Sequence, residues 1–340
     1  MATIYDIAKK AGVSTATVSR VINGSNHPIK EETRQKILQI ARELNYRPNA
    51  IAKSLAGGKS YTVALLIPSI TNDFYTQICE VIEEKLEEKG YHTYLCNTRR
   101  SVEKESRYVE SLIARQVDGV IFSPTRVKPE DNQVNLDNID KLKKHGIAVV
   151  AFGSQFKGVS QIYINTYQGA LDATRYLISL GHKRIGFIDG LKAGTRKSRR
   201  RGYIKALEEF QIEFDPSLVA EGNLEIEDGY SCTLKLLGLK QPPTAILAVN
   251  NLMAVGALKA AKDLGLDVPE DLSVIGFDDS MLSKVVDPSL TVIKQPLKEI
   301  GEAAVKLLMD QLEGNKIHDT IQLQTRMITR ESCGNPRKRG

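Results

Sequence analysis

VSTATVSRVINGS, residues 13–25, is a run of small hydroxyl side chains with one arginine near its middle. Ser14 ahead of a periodic run suits a helix N-cap, because its oxygen can accept an orphan backbone N–H of the first turn, and Asn23-Gly24 marks the end. Between these limits Val18, Val21 and Ile22 fall on one side at helical spacing, while Ala16, Ser19, Arg20 and Asn23 fall on the other. One face reads as core and the other is short and polar. Upstream, Ile4, Ile7, Ala8 and Ala11 form the stripe of a first helix and Gly12 breaks it; downstream, Ile37, Ile40, Ala41 and Leu44 mark a third helix beginning near Glu31. Two short helices across a Gly-containing turn, closed by a third, make a helix-turn-helix. Short outward side chains let such a helix sit deep in a major groove, where Arg20 can reach the O6 and N7 of a guanine. A three-helix domain with one small-residue helix for packing reasons alone is the competing reading.

Charge separates the two readings. Residues 1–60 hold ten Lys and Arg against four Asp and Glu, an excess of six that equals the net charge of the whole 340-residue chain. A basic module on a neutral body is the electrostatic footprint of phosphate binding.

TIYDIAKKAGVSTATVSRVING, followed by ELNYRPNAIAKSLAGGKS, resembles the DNA-binding head and hinge of the LacI/GalR (lactose repressor) family of bacterial transcription regulators. The resemblance runs from residue 2 to about residue 332. It implies base reading by Thr15, Ala16 and Arg20. Ala16 can meet a thymine methyl but donates no hydrogen bond, so discrimination leans on Arg20. Tyr5, Ser14, Thr17, Ser19 and Asn23 are expected at phosphates. One half-site per head requires two heads on a palindromic double-stranded DNA operator, so a homodimer is expected.

RPNAIAKSLAGGKS links head to body. Pro48 and Asn49 suit a helix start, Ala50 to Leu55 can continue it, and Gly57-Gly58 stops it. A helix under two turns is marginal alone, so it is expected to order on DNA; a plain linker is the alternative. The resemblance places Asn49, Ala52, Lys53, Leu55 and Ala56 at the minor groove, with Leu55 as the wedge between base pairs.

From Thr62 onward apolar strands alternate with amphipathic helices. TVALLIP, YHTYLCN, DGVIFSP and IAVVAFG form one set, and RIGFIDG, SLVAEG, TAILAVN and LSVIGFD a second. Such alternation implies parallel sheets covered on both faces, in two units. The expected fold is α/β: an all-α helix-turn-helix head over residues 1–46, a hinge over 47–60, and a two-lobed body over 61–332 that resembles periplasmic binding proteins. The first lobe is expected at about 61–161 and 293–322, with a helix from about Ile300 to Glu313. The second is expected at about 162–292 and 323–332, and 333–340 as a solvated tail.

Ligands of such sheets bind beyond the carboxyl ends of the strands. The resemblance implies effector contacts from Phe74, Tyr75, Arg199, Asn250 and Asp278. The alternatives are a helix cap for Asp278 and a solvated side chain for Arg199, which lies in the basic run RKSRRR of residues 196–201. Asn165 and Asn251 stand where the family often has Asp. Fewer acids and more guanidinium groups suit an anionic effector, so the small molecule is read as a sugar, sugar phosphate or sugar acid.

An enzyme on the same scaffold is disfavoured: no GxGxxG or P-loop follows a strand, and GxSxG and paired histidine ligands are absent from the sequence. His182 in LGHKRIGF reads as packing or capping. Cysteines 79, 96, 232 and 333 have no CxxC spacing and read as buried free thiols, so neither metal nor cofactor is expected. With no signal-peptide core at MATIYDIAKK and no apolar window near twenty residues, the expected location is the bacterial cytoplasm, at the nucleoid and away from membranes. A regulator governed by a phosphocarrier protein docking on the first lobe, through KEIGEAAVKLLMDQLEG, is the alternative within the same family.

Overall fold

A computed structural model describes residues 2–22, 27–46, 58–126, 128, 130–153, 156–190, 196–315 and 318–337, without the side chains of Arg196 and Lys197. Two compact units divide at residue 61. The first carries α1 (Ile4–Ala11), α2 (Thr15–Ile22) and α3 (Glu31–Glu43). Thr3 and Asp6 form a reciprocal capping box at the start of α1, and Gly12 ends it at φ +72°, a left-handed conformation that a side chain would strain. Ile7, Ala8 and Ala11 of α1 meet Val18 and Val21 of α2 and Ile37, Ile40 and Ala41 of α3 in one small core. Leu44 packs at its edge. Lys10 and Glu43, 2.8 Å apart, tie the outer surfaces of α1 and α3.

In the second unit the chain runs β1 (Thr62–Ile67), α4 (Asp73–Glu87), β2 (His92–Asn97), α5 (Val102–Ala114), β3 (Gly119–Phe122), α6 (Asp131–Lys144), β4 (Ala148–Phe152) and β5 (Ser160–Ile164). A second series follows: α7 (Thr166–Ser179), β6 (Ile185–Asp189), α8 (Arg196–Glu209), β7 (Val219–Glu221), α9 (Ile226–Leu237), β8 (Ala245–Ala248), α10 (Asn251–Asp263), β9 (Ser273–Phe277), α11 (Met281–Val285) and β10 (Thr291–Lys294). The chain closes with α12 (Leu297–Leu312), β11 (Thr320–Leu323) and β12 (Arg326–Ile328).

Two six-stranded sheets result, ordered β11-β5-β4-β3-β1-β2 and β12-β10-β9-β8-β6-β7. Pairing is parallel except at one edge, where β12 runs antiparallel to β10 with Val292 opposite Ile328. The fold is α/β with parallel sheets, as the strand-helix alternation predicts. Helices pack closely through glycine: a Cβ on Gly256 of α10 would lie 2.1 Å from the Ile226 carbonyl oxygen of α9, and one on Gly229 of α9 would lie 2.1 Å from that of Met253.

Several details depart from the sequence reading. β5, β10, β11 and β12 join the sheets beyond the eight runs read from the sequence. The chain crosses between lobes after Ile164, Lys294 and Leu323, because β5 and β11 pair in the first sheet and β10 and β12 in the second. The helix expected from Ile300 begins at Leu297. The segment expected as a solvated tail is fastened to the second lobe through Arg337: Gly334 accepts from Ser273 and Arg337 lies 3.0 Å from Asp271. His182 organises that docking. Its Nδ1 meets the Thr244 hydroxyl at 2.8 Å, and its Nε2 lies 3.0 Å from both the Ser273 hydroxyl and the Gly334 carbonyl. The cysteines are free thiols; Cys96 and Cys232 are buried, while Cys79 and Cys333 are only partly so. Among the described residues, no helix is long and apolar enough to cross a membrane.

Candidate nucleic-acid interface and ligand cleft

On the head, the Ser14 hydroxyl accepts the Thr17 N–H at 3.1 Å and shares a 2.9 Å hydrogen bond with the Thr17 hydroxyl, so the cap foreseen from the sequence starts α2. Burial of Val18 and Val21 against α1 and α3 then fixes which side of α2 faces outward. That side presents Ala16 and Arg20 exposed and Thr15, Thr17 and Ser19 half-buried. Arg20 carries no ion pair among the described residues, which leaves its guanidinium available. Tyr5 on α1 is 72% exposed. Asn23 and the hinge positions Asn49, Ala52, Lys53, Leu55 and Ala56 lie outside the described residues.

In the body a cavity of about 410 Å³ opens where the two sheets end. Its lining follows the strand termini: Pro68 after β1, Ser123 after β3, Gly153 after β4, Gly190 after β6, Val249 and Asn250 after β8, and Asp278 after β9. This is the position that parallel α/β sheets offer to ligands. All five expected effector residues, Phe74, Tyr75, Arg199, Asn250 and Asp278, line it.

Each is held by its own local structure. Asn72 caps α4 by accepting the Phe74 N–H at 3.0 Å, which aims the first turn of the helix at the cavity. Phe74 and Tyr75 stand edge to face at 5.0 Å, and the Tyr75 hydroxyl is hydrogen-bonded to Ser123. Asp278 sits at φ +72°, a backbone strain of the kind that clusters at functional sites, and its carboxylate accepts from Gln295. Opposite lies Arg199, whose Nη1 donates to the Val249 carbonyl and whose guanidinium lies 4.1 Å from the centroid of the Phe277 ring. Burial pushes the Asp278 carboxyl up and the Arg199 guanidinium down, and the attraction of each for the other opposes that shift. Asp278 is therefore no helix cap, and Arg199 is buried, 8% exposed, rather than solvated.

Asn250 differs from a free ligand contact. Its Oδ1 caps α10 at the Met253 N–H and its Nδ2 donates to the Leu224 carbonyl, 2.9 Å in each case, so both ends of its amide shape the cavity wall.

The basic run divides. Arg199 enters the cleft, but Arg200 lies 3.7 Å from Asp189 and 3.9 Å from Glu221, and Arg201 lies over Tyr167. Asn251, read from the sequence as a ligand-tuning departure, instead donates to Ser280 and is absent from the cleft lining. Asn165 does line the cleft while capping α7 at the Gln168 N–H. Two cleft arginines escaped the sequence reading. Arg100 follows β2 and reaches across to Glu225 at 2.9 Å, and Arg126 follows β3. The strand-end rule that selected Asp278 would have selected Arg126 in SPTRV.

Residues 3–49 match the profile of bacterial regulatory proteins of the lacI family, and residues 174–333 that of a periplasmic binding protein-like domain. The chain is 38% identical to the HTH-type transcriptional repressor PurR of Pasteurella multocida (strain Pm70), over 98% of both proteins. It is 37% identical to Catabolite control protein A of Priestia megaterium, over 97% of this chain and 98% of the relative. Among solved structures, the lac repressor dimer bound to operator and the anti-inducer ONPF aligns over 98% of this chain and 99% of its own, with a TM-score of 0.86 and 29% identity.

Proposed function

Because the chain belongs to the lacI family of bacterial regulatory proteins, and is on that ground a DNA-binding transcriptional repressor, we propose that it binds a palindromic operator as a homodimer under the control of a small molecule held in the cleft. The observation that carries this reading is the pairing, in one chain, of an outward α2 face bearing Arg20, which has no ion pair among the described residues, with a cavity of about 410 Å³ lined by convergent charged and aromatic side chains.

In this reading Thr15, Ala16 and Arg20 meet base edges, Tyr5, Ser14, Thr17, Ser19 and Asn23 meet phosphates, and Asn49, Ala52, Lys53, Leu55 and Ala56 form the minor-groove hinge. Phe74 supplies an apolar wall, while Tyr75, Arg199 and Asp278 offer polar groups to the effector. Support for a second copy comes from apolar surface on the body. The edge strand β2 exposes Tyr94 at 46% and Leu95 at 53%, and α11 exposes Met281 and Val285. Unpaired edges and apolar patches of this kind are ordinarily covered. The effector acts by population shift: it binds one lobe arrangement better and so changes operator affinity. The protein works where the chromosome is, in the cytoplasm.

Docking of a phosphocarrier protein on α12, the second reading, would use its outer face, since Ile300, Ala304, Val305, Leu307 and Leu308 face the core of the first lobe while Lys298, Glu299, Glu302 and Lys306 are exposed. Selection of binding sites from a random duplex library by the full chain tests the proposal. Recovery of a two-fold symmetric consensus is expected, and enrichment of asymmetric or unrelated sequences would refute it.

A further inference from the structure

Among the described residues, the side chains lining the cleft carry three positive charges, on Arg100, Arg126 and Arg199, and one negative charge, on Asp278. Asp278 answers Arg199, and Arg100 is turned to Glu225. These groups converge: the Tyr75 phenol lies within electrostatic range of Arg100, Arg199 and Asp278, and Arg126 within range of Tyr75 and of the buried Glu105 carboxylate.

Arg126 is built into its position. A Cβ on Gly153, where φ is +137°, would lie 2.9 Å from Arg126 Nη2, so glycine there makes room for the guanidinium. On another side the guanidinium stands 5.3 Å from the centroid of the Phe156 ring. The preceding residue, Thr125, is fastened in three directions. Its N–H donates to Glu105 at 2.7 Å, its hydroxyl meets that of Thr98 at 2.7 Å, and its carbonyl accepts from Asn135 at 3.0 Å. Glu105 is fully buried, and its other oxygen accepts from Asn138 at 3.1 Å. A guanidinium on so fixed a backbone loses little freedom when it binds, and its planar fork matches a carboxylate or phosphate. Across the cleft, Arg199 Nε is buried with no hydrogen-bond partner among the described residues, a donor that a ligand oxygen would satisfy.

We propose that the effector is an anion, a small molecule bearing a carboxylate or phosphate, and that Arg126 is the residue that takes that group. This deepens the cleft reading above and rests on it.

The test is calorimetric titration of the full chain with ribose 5-phosphate, gluconate, inorganic phosphate and ribose, for the wild type, Arg126→Gln, Arg126→Lys and Phe74→Ala, each shown by thermal melting to be folded. At least one anion binds the wild type, ribose binds at least about tenfold more weakly than its phosphate, and Arg126→Gln abolishes that preference, costing the anion about tenfold or more. Arg126→Lys keeps the charge without the fork and recovers only part of it. Ribose binding as tightly as ribose 5-phosphate overturns the proposal, as does failure of every anion to bind the wild type. Anion binding that falls with Phe74→Ala but not with Arg126→Gln overturns the role of Arg126 and leaves the cleft reading standing. Binding that survives both substitutions unchanged places the site elsewhere and overturns both.

Discussion

Replacing Arg20 by alanine separates base reading from phosphate contact. The side chain is exposed on α2 and carries no ion pair among the described residues, so its loss is expected to change the stability of the head by less than about 0.5 kcal/mol. A bidentate contact to guanine is worth about 1–3 kcal/mol of discrimination, and a dimer makes it twice, so about 2–6 kcal/mol is at stake on a symmetric site. That range corresponds to a loss of about 30-fold to about 10⁴-fold in operator affinity. The assay is a gel-shift titration of wild type and Arg20→Ala at several salt concentrations, on a site selected from the library and on a scrambled duplex of equal length. Affinity should fall on the selected site and hardly change on the scrambled one, with the salt dependence preserved. Equal losses on both duplexes, with the salt slope reduced by about 1 per head, would make Arg20 a phosphate contact and refute its role as the reader.

Other perturbations test the body. Gly256→Ala puts a methyl group 2.1 Å from the Ile226 carbonyl oxygen, a clash between backbones rather than with a flexible side chain tip. Urea denaturation should show a loss of about 3 kcal/mol, and an unchanged midpoint would mean that α9 and α10 part easily. Arg199→Met leaves the Asp278 carboxylate buried without its opposite charge, a change that costs about 3–5 kcal/mol at neutral pH. Burial already raises Asp278 above its ordinary value, and the variant raises it further. The deficit is then largest at neutral pH and shrinks as pH falls through the folded value; a deficit that grows on acidification would contradict the pairing. Burial holds His182 below its ordinary value of 6.5, against the opposing effect of the Gly334 carbonyl. The stabilisation it gives is present above that value and lost as pH falls through it, so the advantage of wild type over His182→Asn in Tm should narrow between about pH 7.5 and about pH 5.5. A constant gap would show that the imidazole does not titrate against the docked C-terminal segment.

The sequence reveals the head because each of its signals is local: a cap at Ser14, a break at Gly12, and apolar spacing over Val18 and Val21. The long parallel strands are legible for the same reason, since Val63, Ala64 and Leu66 of β1 and all of β3 are buried and therefore continuously apolar. β11 reads poorly because TIQL alternates exposed and half-buried positions at a sheet edge, and β12 has only three residues. What brings them into sheets is pairing with β5 and β10, more than thirty residues away, which no local pattern reports. The cleft divides along the same line. Asp278, Asn250 and, in SPTRV, Arg126 lie just past the ends of clear strands, although the glycine that makes room for Arg126 comes from the next strand end, whereas Arg100 depends on a turn in which Arg99 and Arg100 both take positive φ. The basic run shows the converse error: adjacent arginines on α8 point in different directions, so a cluster along the chain is not a cluster in space.

Coupling between the two sites is the claim on which regulation rests, and one titration addresses it. Operator affinity of the full chain is measured with and without a saturating cleft ligand, in the wild type and in Arg199→Ala confirmed as folded. A coupling free energy of about 1–3 kcal/mol, hence a change of about fivefold or more in either direction, is expected in the wild type and should disappear in the variant. Operator affinity that is identical with the cleft filled and empty would contradict it.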